Sequence, residues 1–333
     1  MKNHIVLLGL ALGTLWFATA HAETIVLAVP GPGSMAFLPA HLAKAIGADR
    51  AEGLSLKLRY FPGGPMAMRD LMNNNSDFSV LGLPAIAAAR ADGEPVVAIG
   101  QLSQSPMFVF LLRANLKNKV RTIAQLKHKR IGTPSSSNQQ RSTGKMLTEF
   151  LLLRAGLQLN DVQFVSTGLS REAQSAALAS ATVDALMGDE PFASELVAQG
   201  LAIRFVDLYT PKQSSDLLGG SIVRAALATR EDVYTQHPET VKKVQRMFDR
   251  TLKWLAAHSA QEAAEKLAGQ SGFDSPDNKH LVEMLQRYQG LYPNQLAWDA
   301  QAVAATERFF HRVAIDSNEK NLLFSDFVRN SPE

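Results

Sequence analysis

Asp189 and Glu190 follow an apolar stretch, residues 183–187, and precede Pro191, so two carboxylates stand at the carboxyl end of a predicted strand. A carboxylate in that position either accepts hydrogen bonds from a ligand's amine, hydroxyl or ring N–H, or caps the helix that Pro191 begins. A bare anion such as nitrate would be repelled by it. Ser136, Ser137 and Asn138 occupy a polar loop; they either donate to a sulfonate, carboxylate or phosphate-like group or cap the next helix. Arg141 falls in the first turn of that helix, where the dipole disfavours a cation; a bound anion or plain solvent exposure would account for it. Phe37, Phe61 and Phe108 either wall a cleft or fill the core. Gly33, Gly63, Gly64, Gly82 and Gly168 permit positive φ or close backbone approach, and Ser34, Leu83 and Thr167 share their loops.

Other chemistries are removed by composition. The chain of 333 residues has no cysteine, which excludes thiolate nucleophiles, cysteine zinc sites, iron–sulfur clusters, disulfides and a lipid-anchored N-terminal cysteine. Its eight histidines form no HExxH or HxH pattern. Ser142-Thr143-Gly144-Lys145 matches S-x-x-K of penicillin-recognising enzymes, but the S-D-N and K-T-G partners are missing, as are a phosphate loop and a G-x-S-x-G elbow. A net charge of +3, spread evenly, gives no nucleic-acid footprint. No cofactor and no catalysis are expected.

The elements that must position these residues alternate. Short apolar runs at 24–29, 56–60, 77–81 and 96–100 read as strands, separated by glycine-rich loops and by helices at 36–46, 65–72 and 83–90. The grammar restarts after a β-rich run at 107–112, with strands at 130–132, 162–165, 183–187 and 202–206 and helices at 141–155 and 171–180. Such alternation predicts an α/β protein of two lobes, each a mostly parallel sheet flanked by helices. After an extended segment at 221–229 nearly everything reads as helix, giving a helical C-terminal extension at 238–257, 260–269, 277–291 and 300–313. In open sheets of this kind ligands bind beyond the carboxyl ends of the strands, so the loops carrying the candidate residues should face one cleft.

Residues 1–22 read as a cleaved export signal: a basic Met1-Lys2-Asn3-His4, an apolar run at 5–17 too short to span a bilayer, and Ala20-His21-Ala22 as the cleavage site. A periplasmic location is expected.

The order of this leader, a Gly-Pro loop after the first strand, Ala51-Glu52-Gly53-Leu54, Phe61-Pro62-Gly63-Gly64 and Asn75-Ser76-Asp77-Phe78 resembles the periplasmic substrate-binding proteins of ABC importers. Ile123-Ala124-Gln125-Leu126-Lys127, Leu153-Arg154-Ala155-Gly156-Leu157 and Val183-Asp184-Ala185 extend the likeness, which covers about residues 24–257. The chain is most similar to the nitrate, sulfonate and taurine branch, which includes binders of thiamine pyrimidine precursors. The resemblance implies a type II two-lobed fold, with lobe one at 23–112, lobe two at 113–218, and a return strand and C-terminal helices at 219–333. It implies hinge crossings near 107–112 and 221–226, closure on a small-molecule solute, and delivery by a monomer to an inner-membrane permease and its ATPase. A ligand-sensing protein that docks on a membrane receptor would use the same cleft. Where that family often carries an aromatic residue, this chain has Asp189 and Glu190, a departure that favours a zwitterion, a heterocycle or an uncharged head group over a simple anion.

Overall fold

A computed structural model describes residues 22–133, 141–168, 170–270 and 278–332. The expected export signal, apart from Ala22, and the predicted site residues Ser136, Ser137 and Asn138 lie outside the described residues.

Among the described residues ten strands form two five-stranded sheets of the same design. Strands β1 (Glu23–Pro30), β2 (Leu54–Phe61), β3 (Phe78–Leu81) and β4 (Val96–Gln104) belong to the first, and β5 (Val109–Arg113), β6 (Arg130–Thr133), β7 (Gln163–Ser166), β8 (Ala185–Gly188) and β9 (Ala202–Asp207) to the second. The chain then returns, and β10 (Val223–Arg230) completes the first sheet. The orders are β2-β1-β3-β10-β4 and β7-β6-β8-β5-β9. Each sheet is parallel except for one antiparallel strand, β10 in the first and β5 in the second.

Alternation along β1 explains its two-sided burial: Ile25, Leu27 and Val29 enter one apolar cluster while Ala28 enters the other. Helices cover both faces and start at the strands' carboxyl ends. Leu38–Ala45, Gly64–Met72 and Leu83–Ala91 follow β1, β2 and β3, and Thr143–Arg154, Arg171–Ala179 and Phe192–Ala198 follow β6, β7 and β8. The mostly parallel α/β architecture expected from the sequence is therefore present in both lobes.

The first crossing between sheets lies at residues 105–108, because Val109–Arg113 already pairs with β8 and β9; residues 109–112 thus sit in the second sheet rather than the first. Ser105 and Met107 in this crossing have φ of 63° and 52°, a conformation that is disfavoured for side-chain-bearing residues and marks a sharp change of direction. The second crossing is the return from β9 through the Pro211–Leu218 helix, which the sequence reading missed, to β10.

The C-terminal helices touch both lobes. Val241, Val244, Phe248, Leu252 and Leu255, at helical spacing along Pro238–Ala257, join the cluster that contains Leu38 and Leu42 of lobe one. Farther on, Phe309 of Ala300–Arg312 meets Phe150 of lobe two edge-on, with ring centroids 5.5 Å apart. Among the described residues no helix is long and apolar enough to cross a membrane.

Candidate functional site

The carboxyl-end loops of the two sheets face one another, as expected, across a cavity of about 140 Å³. Lobe one lines it with Phe37, Gly63, Gly64 and Gly82; lobe two with Thr143, Gly144, Arg171 and Asp189; Phe108 comes from the first crossing and Arg224 from the start of β10. Helix N-termini from both lobes open on this space. Gly82 precedes Leu83–Ala91 and Ser142 precedes Thr143–Arg154, and these ends approach so closely that a Cβ at Gly82 would lie 2.2 Å from Thr143 Oγ1.

Direct bonds hold the lobes together at this seam. Ser34 Oγ donates to Asp189 Oδ2 at 2.5 Å, Met35 N–H donates to the Glu190 carbonyl at 3.2 Å, and Arg171 donates to the Pro32 carbonyl at 3.2 Å. Gly33, with φ of 75°, lets the intervening loop turn beside the Arg171 guanidinium.

Arg224 stands at the floor. Val223 pairs with Gln104 and Ala225 with Ser103, so Arg224 is the extra residue of a β-bulge, a device that re-aims a side chain out of the sheet's alternation. Its guanidinium carbon lies 4.5 Å from the Phe108 ring centroid and 5.1 Å from that of Phe37. The residue is 5% exposed and forms no hydrogen bond to any described residue; its Nε is buried without an acceptor. Burial lowers its pKa to about 10, against the opposing influence of Asp189 and Tyr209, so it remains a cation at neutral pH. A buried cation without its own carboxylate partner has donors to offer to an anionic or acceptor group.

The two adjacent carboxylates part company. Asp189 faces the cavity, and Ser34 is the only donor to its carboxylate among the described residues. Glu190 points away into the protein, completely buried. It accepts from Arg204 at 2.6 Å, from the Ser194 N–H at 3.0 Å in the first turn of the following helix, and from the Tyr288 hydroxyl at 3.3 Å. Its own N–H donates to the Tyr209 hydroxyl at 2.7 Å. Glu190 therefore serves the start of the following helix, whereas the Asp189 carboxylate faces the cavity.

Arg141 is also spent on structure. It precedes the helix rather than joining its first turn, and it donates to Glu149, to the Val313 carbonyl at 2.7 Å and to Glu319 at 3.4 Å. Burial, the largest influence on Glu149, raises its pKa in spite of the Arg141 and Lys145 charges. Leu83 is core, the Thr167 hydroxyl donates to the Thr133 carbonyl, and Gly168 turns the loop before Ser170; none of the three lines the cavity. Ser142, from the S-x-x-K match, caps its helix by accepting from the Lys145 N–H, and the Lys145 ammonium lies 3.9 Å from Glu149.

The sequence reading missed Arg171, Gln174 and, above all, Arg224. The available signal was a single arginine inside the otherwise apolar Val223-Arg224-Ala225-Ala226-Leu227-Ala228. Among the described residues no cluster of three His, Asp or Glu side chains is placed to hold a metal.

The same arrangement of lobes occurs in solved structures. A protein from Bordetella bronchiseptica RB50 superposes with a TM-score of 0.81 at 20% identity, over 92% of this chain and 95% of that one. The alkanesulfonate-binding protein SsuA from Xanthomonas axonopodis pv. citri, bound to MOPS, gives 0.70 at 21% identity over 92% and 98%. The periplasmic nitrate-binding protein NrtA from Synechocystis PCC 6803 gives 0.67 at 14% identity over 86% and 80%. The desulfurization enzyme DSZB shares the fold at a TM-score of 0.58 and 18% identity, over 87% and 92%, so the architecture hosts catalysts as well as binders. No curated protein matches the chain in sequence. The NMT1/THI5-like family, in contrast, matches residues 35–262, about two thirds of the chain, and the protein belongs to that family and has the periplasmic-binding-protein fold.

Proposed function

We propose that the protein is the solute-binding component of an ABC importer. It is exported with removal of residues 1–22, acts as a monomer, and captures a small polar organic solute between its lobes. The solute lies in the range from sulfonates and taurine-like zwitterions to pyrimidine-like heterocycles. Lobe closure then presents the loaded form to the inner-membrane permease and its ATPase. No covalent chemistry is part of this reading, and the chain has no cysteine to serve as a thiolate nucleophile.

The observation that carries it is the buried Arg224 guanidinium, without an acceptor among the described residues, at the floor of an interlobe cavity. Phe37, Gly63, Gly64, Gly82 and Asp189 would contact the solute, while Gly33 and Ser34 would hold the loop that closes over it. Helix N-termini from both lobes add partial positive charge on the same space.

A thermal-shift screen of the exported protein tests this directly. Taurine, alkyl and aryl sulfonates, carboxylates, amino acids and pyrimidines are the panel. A solute that binds the folded state alone raises the melting temperature, by an amount that grows with its concentration above Kd. At least one class should do so in wild type and fail in Arg224→Gln. A panel without any shift would contradict the reading.

A further inference from the structure

The chemistry facing the cavity narrows that reading, on which this inference rests. We propose that the solute is a small amino-carboxylate zwitterion, its carboxylate held by Arg224 and its ammonium by Asp189.

Three observations converge. First, Arg224 is more than nine-tenths buried, lines the cavity and has no described acceptor, so an anion must come from the ligand if the guanidinium is to be satisfied. Second, Phe37 and Phe108 cover that guanidinium, which leaves its edge as the donor surface; a planar carboxylate matches the edge with two parallel N–H···O bonds. A tetrahedral sulfonate turns its third oxygen out of that plane, toward the aromatic walls. Third, Asp189 opens on the same cavity with one oxygen held by Ser34 and the other without a described donor.

The pair of poles then selects by exclusion. A simple anion satisfies Arg224 but faces the Asp189 carboxylate at close range. A simple cation reverses the problem and leaves the buried guanidinium uncompensated. A zwitterion satisfies both. Size agrees: a cavity of about 140 Å³ is of the order that holds one benzene-sized molecule, which suits a short spacer between the charged groups. The mutual charge of Asp189 and Arg224 is felt even without ligand, since Asp189 opposes the burial-driven fall in the arginine's pKa.

Isothermal titration of the exported protein with glycine, L-alanine, β-alanine and γ-aminobutyrate sets the spacer length. Acetate, methylamine and methanesulfonate serve as single-charge controls, and taurine as the sulfonate counterpart. One amino-carboxylate should bind at least about tenfold more tightly than taurine and every single-charge control. Asp189→Asn, an isosteric change that keeps a partner for Ser34, should weaken that binder by about tenfold or more and leave acetate equal or tighter. Arg224→Gln should weaken both. Acetate or methanesulfonate binding as well as the amino-carboxylates, or unchanged affinity in Asp189→Asn, would overturn the inference. So would a sulfonate or pyrimidine that binds while no amino-carboxylate does, an outcome that leaves the solute-binding reading standing. Failure of every probe class would remove both.

Discussion

Glu190 is completely buried and bonded to Arg204, whereas its neighbour Asp189 opens on the cavity, so conservative changes at the two positions should separate stability from binding. Glu190→Gln removes one of the two carboxylates on Arg204, leaving Asp207, and should destabilise the protein by about 2 kcal/mol in urea denaturation. Asp189→Asn should alter solute affinity with a stability change less than half as large. Adjacent carboxylates look alike in sequence; what separates them is direction, set by the turn into the Phe192–Ala198 helix and by partners as distant as Tyr288. Arg141 was illegible for the same reason, because Val313 and Glu319, which hold it, are far along the chain. Arg224 was visible as an oddity in an apolar strand, but the bulge that aims it depends on its register against β4.

His41 adds a pH signature at this scale. It is core, stacked on Tyr60 with ring centroids 5.5 Å apart, and burial lowers its pKa to about 4. Well above pH ~6.5, the ordinary histidine pKa, the imidazole is neutral in both folded and unfolded chains and contributes no pH dependence. As pH falls from there toward 4, the unfolded chain takes up a proton that the folded chain refuses, so stability declines, by up to about 3 kcal/mol from this group. His41→Leu should flatten that part of the stability–pH curve measured by urea denaturation.

Strands and helices were largely legible as elements because apolar periodicity is local: the spacing at 238–257 matches Pro238–Ala257, and the run at 24–29 lies within β1. The crossing was less so, since an apolar run such as 107–112 reads the same in either sheet. The close approach of two helix N-termini at Gly82 and Thr143 gives this scale its test. Gly82→Ala places a methyl group where the lobes meet, 2.2 Å from Thr143 Oγ1 and 3.3 Å from Thr143 Cβ, and the short Thr143 side chain, rooted at the start of its own helix, must shift to admit it. The Gly82 φ of −68° accepts alanine, so the fold should persist with a melting temperature close to wild type. Solute affinity should fall by about tenfold or more, because the closed form becomes strained. Unchanged affinity would mean that closure does not bring these ends together.

For the whole molecule, the C-terminal segment reaches from lobe one to lobe two through the Phe150–Phe309 contact and the Arg141–Glu319 ion pair. This reach was not legible in the sequence, since nothing in an amphipathic helix names the lobe it will meet. The crossings adjoin β4, β10, β5 and β9, so the far edges, β2 and β7, should separate most when the cleft opens. Absence of native cysteine allows one label on each edge, at Lys57→Cys and Gln163→Cys, both solvent-exposed positions. The decisive measurement is the inter-label distance by double electron–electron resonance, with and without the solute found in the thermal-shift screen. The account predicts that saturating solute changes the distance distribution to a single narrow population, and that the same solute leaves the distribution unaltered when Arg224 is replaced by Gln. A solute that binds without changing the wild-type distribution would contradict capture by closure of the two lobes.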